Sequence, residues 1–247
     1  MRIAVAGGTG VLGAHVVRLL AAAGHDPVVL ARSRGVNVVT GAGLDAALTG
    51  VAAVIDASNV ATARRSTAVA FFTASTGQLL AAGQRAGVGH HVVVSIVGID
   101  RVDYGYYEGK RRQEEEVLAG PVPASVLRAT QFHEFPAQIL AGTRGPVAPV
   151  PRMRIQPVAA REVAAALAAI AAGPAVGFAP EMAGPEEHQL VDLARRLIRS
   201  RRERRWVVPV RLPGAAGRAM ATGGLLPQGP GPRGTQTFAD WLVGSDR

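Results

Sequence analysis

The segment Asp103-Tyr104-Gly105-Tyr106-Tyr107-Glu108-Gly109-Lys110 holds all three tyrosines and the single lysine of a 247-residue chain. On a helix Tyr106 and Lys110, four residues apart, share a face. All other members of the 27 Lys+Arg are arginine, so a lysine kept here points to a compact ammonium that a guanidinium does not replace. Its charge is expected to lower the phenol pKa of Tyr106, and Lys110 is also expected to bind nucleotide ribose hydroxyls. Tyr106 could then exchange a proton with a substrate oxygen. Ser95 follows the apolar run His91-Val92-Val93-Val94, near the carboxyl end of an expected strand, where ligands bind in open α/β sheets. Its hydroxyl can hydrogen-bond a carbonyl as charge develops on the oxygen. Ser95, Tyr106 and Lys110 form the candidate catalytic set. The plainer alternative is a tyrosine cluster at a helix start beside a solvated lysine.

A second constellation lies at the start of the chain. Gly7, Gly10 and Gly13 form G-x-x-G-x-x-G directly after the apolar run Ile3-Ala4-Val5-Ala6 and before a helical pattern with Val16, Val17, Leu19 and Leu20. Small residues let the backbone approach a pyrophosphate, and the N–H groups and dipole of a helix start attract its charge. After the second apolar run comes Leu30-Ala31-Arg32-Ser33-Arg34. An acid there would take the ribose 2′-hydroxyl of NAD(H), whereas arginines accommodate a 2′-phosphate, so the expected cofactor is NADP(H). Asp26 stands at the wrong end of that strand to supply the acid.

These residues need a scaffold that brings several strand ends together. Apolar runs at 3–6, 27–31, 53–56, 91–97 and 125–128 alternate with helical stretches near 44–49, 68–86 and 106–119. Continuous apolar strands alternating with helices predict an α/β doubly wound parallel sheet of Rossmann type, covered on both faces. After Thr130 the alternation loosens into Gly142-Thr143-Arg144-Gly145-Pro146 and Pro149-Val150-Pro151. The expected division is a nucleotide-binding domain over 1–145 and a smaller C-terminal substrate-binding lobe over 146–247, partly packed on the first. In the latter we expect helices near 160–172 and 186–204, a strand at 206–210, a Gly/Pro-rich segment over 213–234 and a last helical piece at 238–242.

Composition removes several classes of function. There is no cysteine, which excludes disulfides, thiolate metal sites and a cysteine nucleophile. No His/Asp/Glu spacing resembles a metal ligand set, and no G-x-S-x-G elbow marks a serine hydrolase. The longest apolar run, 163–172, is far shorter than the roughly 20 residues of a membrane span. The opening residues lack the pattern of a signal peptide, so a cytoplasmic protein with no membrane partner is expected. The net charge of +9 sits on arginines in a background of Ala, Gly, Val and Pro, with seven arginines between Arg195 and Arg205. Without interleaved aromatics or a recognised motif that cluster reads as a solvated helix face, and no nucleic-acid partner is expected. Arg111 and Glu115 read as an i,i+4 surface pair.

Taken together the residues resemble the atypical short-chain dehydrogenase/reductase superfamily, and the NmrA-like NAD(P)-binding subgroup in particular. The resemblance rests on Gly7-Gly8-Thr9-Gly10-Val11-Leu12-Gly13, Arg32-Ser33-Arg34, Val94-Ser95-Ile96-Val97-Gly98, Tyr106 with Lys110, Leu127-Arg128-Ala129-Thr130-Gln131-Phe132-His133 and Phe238-Ala239-Asp240-Trp241-Leu242. It covers nearly the whole chain. It implies an NADPH-dependent oxidoreductase of quinones, azo dyes, ketones or related compounds, or a redox-sensing regulator that binds NADP(H) without turnover. An epimerase or dehydratase on the same scaffold is a third possibility. The resemblance further implies that Thr9, Val11 and Leu12 line the cofactor loop and that Ala57 and Ser58 lie near the adenosine ribose and nicotinamide. Phe132 would cap the nicotinamide, and His133 and Tyr107 would contact a small-molecule substrate. It departs from relatives at Ala42, where many carry an acid, and in possessing Tyr106, which many lack. A monomer or homodimer is expected.

Overall fold

The structure is a computed structural model that describes residues 1–245. The first half alternates as expected. β1 (Arg2–Ala6), α1 (Val11–Ala22), β2 (Asp26–Leu30), a 3-10 turn (Arg32–Arg34), α2 (Leu44–Leu48), β3 (Ala53–Asp56), α3 (Arg65–Arg85), β4 (His90–Ile96), α4 (Gly105–Ala119) and β5 (Ala124–Ala129) follow in order. Then come α5 (Phe135–Ala141), β6 (Val147–Pro151), β7 (Arg154–Ile155), α6 (Ala160–Ala172) and β8 (Gly177–Phe178). The chain continues with β9 (His188–Gln189), α7 (Leu190–Ser200), β10 (Trp206–Val210), α8 (Gly214–Ala221) and α9 (Phe238–Ser245).

A six-stranded sheet runs β2-β1-β3-β4-β5-β8. β1 pairs in parallel with both β2 and β3, so the order reverses at β1, and open α/β sheets bind ligands beyond the carboxyl ends of the strands at such a reversal. Alternation of side chains along each strand assigns the two faces. Ala4, Ala6 and Val54 pack with Leu44, Leu48, Leu79 and Leu80 of α2 and α3. On the opposite face α6 packs against α1 and β3. This doubly wound arrangement is the α/β Rossmann-type fold expected from the apolar runs. The sheet's outer strands are short or interrupted: β2 contains Pro27, and β8 has two residues, paired in parallel with β5.

The chain divides into two compact units that a single boundary near residue 145 does not separate. The first comprises Met1–Ser95, Tyr104–Arg128 and Ala160–Pro180, and the second Ile96–Asp103, Ala129–Ala159 and the residues from Glu181 on. The reason lies in α6, expected in the later lobe: its buried Val163, Ala164, Leu167 and Ala171 form an apolar stripe that covers the sheet of the first unit. In the second unit β6 pairs in parallel with β10, and β7 pairs antiparallel with β9. α7 packs on β6, β10 and α5. It is shorter than expected, starting from extended Gln189 and ending before Arg202, which has φ of 53°. Among the described residues no helix is long and apolar enough to cross a membrane.

Candidate functional site

The glycine loop is shaped by backbone crowding. Gly7 has φ of 71°, and a Cβ there would stand 2.5 Å from the Ala57 carbonyl oxygen. A Cβ on Gly13 would stand 2.2 Å from the Gly7 carbonyl oxygen, so only glycine lets α1 begin this close to the turn. On Gly10 the same position meets only the Gly7 carbonyl oxygen, at 3.3 Å. Gly10 caps α1 without a side-chain hydrogen bond, and no acid stands in the helix's first turn. Its amide donors and positive dipole end are therefore available to an anion. Thr9, Gly10 and Val11 are exposed on this loop, while Leu12 and Gly13 are buried beneath it. Arg32, Ser33 and Arg34 are exposed on the 3-10 turn after β2, and neither arginine has a carboxylate partner among the described residues. This donor set suits a dinucleotide carrying a 2′-phosphate.

The loop after β3 is tied to the same place. Ala57 donates its N–H to the Ala6 carbonyl at 3.0 Å. Ser58 is buried and donates its N–H to Asp56 Oδ1 at 2.9 Å, while its Oγ has no hydrogen-bond partner among the described residues. Asn59 is exposed and accepts the Tyr106 hydroxyl at 2.7 Å on Oδ1.

α4 lies tightly on α3, since a Cβ on Gly109 would stand 2.7 Å from the Ala68 carbonyl carbon. This close packing buries Lys110, which is 3% exposed. Its Nζ donates to the Val94 carbonyl at 2.7 Å and to Gln113 Oε1, and Gln113 Nε2 donates to Asp56 Oδ2 at 2.8 Å. A buried chain thus links the end of β4 through α4 to the end of β3. Burial pushes the Lys110 ammonium down to about 8, against the opposing pull of the Asp56 and Glu114 charges. Beneath it Arg128 holds Glu114 through two hydrogen bonds of 2.9 and 2.6 Å.

Tyr106 is half-buried, and burial raises its phenol pKa above the ordinary value. This corrects the expectation that Lys110 lowers it: the ammonium is turned inward to Val94 and Gln113. The two side chains instead meet through Phe72, whose ring centroid is 4.8 Å from Lys110 Nζ and 5.8 Å from the Tyr106 ring. Tyr107 is buried against Tyr104 and Tyr106, with its phenol also pushed up by burial. Ser95 is buried at the end of β4, and its Oγ has no hydrogen-bond partner among the described residues. The structure thus joins Lys110 to the residue before Ser95, and Tyr106 to the Asn59 loop, without a hydrogen bond among the three candidates themselves.

The remaining expectations fall in the second unit or on the surface. Phe132 is half-buried there and forms an isolated bridge with Val158. His133, expected to contact substrate, is instead 1% exposed, with Nε2 3.0 Å from the Gln236 carbonyl and its ring against Phe238 and Trp241. It anchors the start of α9. The arginine cluster is exposed as expected except at two positions: Arg196 lies over Phe238, and Arg205 donates to the carbonyls of Leu140, Thr143 and Gly145 at 3.1, 3.0 and 3.2 Å. On α4 the ion pairs centre on Glu108, with Arg111 at 2.6 Å and Arg112 at 3.4 Å. Sequence reasoning missed Asp56 and Gln113 as working side chains. The signal for Asp56 was an acid closing the apolar run Ala53-Val54-Ile55, and for Gln113 its i,i+3 spacing from Lys110.

No family model matches the chain, and no curated protein does. Solved structures do. An NADPH-dependent quinone oxidoreductase from Escherichia coli complexed with NADPH aligns with a TM-score of 0.72 at 19% identity, over 99% of this chain and 100% of that one. A dTDP-glucose 4,6-dehydratase from Streptomyces venezuelae with NAD and TYD bound aligns at 0.71 and 20%, over 98% and 95%. A short-chain dehydrogenase/reductase superfamily protein from Agrobacterium tumefaciens with bound NAD aligns at 0.69 and 18%, over 99% and 96%. The strand order, the glycine loop and these alignments agree on one architecture: the chain shares the Rossmann-type α/β fold of these solved structures.

Proposed function

We propose that the protein is an NADPH-dependent oxidoreductase that reduces a quinone, ketone or related apolar or aromatic carbonyl compound. The observation that carries this reading is a buried lysine, bonded to the end of β4 and linked to β3, beside a tyrosine at the same end of the sheet. The neighbouring fold whose structure holds NADPH supports the choice of cofactor, as do the two unpaired arginines after β2.

The loop residues Gly7, Thr9, Gly10, Val11, Leu12 and Gly13 would hold the pyrophosphate, with Arg32, Ser33 and Arg34 on the 2′-phosphate. Ala57, Ser58 and Lys110 would meet the ribose and nicotinamide. Bound NADPH would supply a hydride. Ser95 orients the substrate carbonyl with its unpartnered Oγ, and Tyr106 turns from Asn59 to give its proton to the same oxygen. A phenol whose pKa burial has raised stays protonated at neutral pH, the state a proton donor needs. Hydride to carbon and proton to oxygen complete a carbonyl reduction; on a quinone the same two additions followed by enolisation give the hydroquinone.

A redox-sensing role is favoured by one observation: the polar groups of Lys110, Gln113 and Tyr106 are already satisfied by protein partners. The two readings separate in one experiment. NADPH and NADH are titrated calorimetrically, then NADPH absorbance is followed with a panel of quinones and aromatic ketones. The reductase reading expects selective NADPH binding and turnover, with Tyr106→Phe losing about 10²-fold or more in kcat. Tight NADPH binding with no turnover on any acceptor would favour the sensor, and no binding of either nucleotide would overturn both.

A further inference from the structure

The second unit contains a groove of about 650 Å³ whose wall carries four arginines, Arg152, Arg195, Arg211 and Arg218, and a single acid, Asp192. We infer that this groove binds a small molecule carrying an oxyanion, a phosphate or carboxylate, on an apolar body. The positions of the arginines follow from strand register. Pro151 and Val210 are partners in the parallel pair of β6 and β10, and Arg152 donates its N–H to the Val210 carbonyl at 2.8 Å. Arg152 and Arg211, the next residue on each strand, are thereby brought to the same end of a two-stranded sheet. Arg218 adds a third charge from α8.

Charge accounting supports an anion. Asp192 is engaged with Arg195 at 3.2 Å. Arg152, Arg211 and Arg218 are exposed and have no acidic partner among the described residues. Like charges gathered in a cleft repel one another and focus a positive potential that an anion relieves. Guanidinium forks also match the geometry of phosphate and carboxylate.

Size and lining define the rest of the ligand. The volume falls within the roughly 300–1,000 Å³ of small-molecule sites, far more than an inorganic ion fills. Val191, Pro209, Leu212 and Ala221 supply apolar wall. A nucleic-acid backbone is a poorer match, because Arg196 and Arg205, which would extend a basic stripe, are committed to Phe238 and to the end of α5.

The test uses the full chain saturated with NADPH, so that the glycine loop is filled, and calorimetric titration with 1-naphthyl phosphate, 1-naphthoate, 1-naphthol and inorganic phosphate. We expect naphthyl phosphate or naphthoate to bind at least tenfold more tightly than naphthol, and the tighter of the two identifies the anionic group. R211Q/R218Q should weaken that binding at least tenfold. R199Q, on α7 but outside the groove, should leave it unchanged, and NADPH affinity should be unaltered in both. Should the double variant not fold, R211Q and R218Q singly should each show a smaller loss. Equal affinity in wild type and R211Q/R218Q, equal binding of naphthol, no binding of either anion, or tight binding of duplex DNA in place of both would overturn the inference. NADPH binding is read separately, so a failure of the reductase proposal is distinguishable from a failure here.

Discussion

Lys110 Nζ lies 2.7 Å from the carbonyl oxygen of Val94, the residue that precedes Ser95. The bond fastens α4 to the end of β4 and fixes a buried positive charge at the sheet's carboxyl edge. Lys110→Met should therefore retain NADPH binding through the glycine loop but lose NADPH turnover by about 10²-fold. Lys110→Arg should not rescue it, because a planar guanidinium overfills the space between Val94, Gln113 and Phe72, at about 1–3 kcal/mol. Steady-state rates beside thermal melts of the three proteins check this, and wild-type turnover in Lys110→Met would remove the lysine from the mechanism.

The same lysine sets a pH signature in stability. Its pKa falls from 10.5 unfolded to about 8 folded, so between those values the unfolded chain holds a proton that the folded one has released. Stability should rise with pH across that window by about 3 kcal/mol, the shift multiplied by 1.36. Above pH 10 the slope should reverse, because the phenols of Tyr106 and Tyr107 are raised and ionise first in the unfolded chain. Urea midpoints from pH 7 to 11 measure both slopes, and in Lys110→Met the rise should vanish.

Arg32 and Arg34 stand free of carboxylates after β2. Replacing both by alanine should weaken NADPH binding about ten- to a hundredfold, as loss of charge-assisted hydrogen bonds worth about 1.5–3 kcal/mol implies. NADH affinity should change little. Equal losses for both nucleotides would mean that the turn does not read the 2′-phosphate.

Gly13→Ala places a methyl group where the Gly7 carbonyl oxygen stands 2.2 Å away. Helix α1 must then withdraw from the turn, at about 1–3 kcal/mol. Nucleotide binding should fall more steeply than stability, which parallel calorimetry and melting curves would show.

Arg205 binds three backbone carbonyls in and just beyond the last turn of α5, and Arg205→Ala leaves them short of donors. A loss of about 1–3 kcal/mol is expected. NADPH affinity should be unaltered, because every residue in the proposed cofactor loop belongs to the other unit.

The contrast between Lys110 and His133 shows what the sequence makes legible. Tyr106 and Lys110 stand out by composition, and the glycine loop by spacing after a strand. The direction in which the lysine turns depends on the inward-facing Asp56 and on Gln113, which meet only after two crossovers. The fate of His133 is decided by Phe238 and Trp241, a hundred residues later. Among the elements, β1 to β5 were readable because buried parallel strands are continuous apolar runs bounded by turns. α8 was not, since its sequence Gly214-Ala215-Ala216-Gly217-Arg218-Ala219-Met220-Ala221 combines two glycines with no clear apolar stripe, and the two-residue β7, β8 and β9 leave no period to detect.

The two outer strands of the six-stranded sheet have a consequence for self-association. An open edge is a template on which a second chain can add a strand. Here β2 carries a proline and the Arg2–Asp26 ion pair, while β8 is two residues long with the Arg128 guanidinium 4.9 Å from the Phe178 ring centre. Proline withholds a donor, and a two-residue strand is too short to seed a ladder. The six-stranded sheet is thereby guarded against edge-to-edge extension at both ends, and a second copy gains no ready template there.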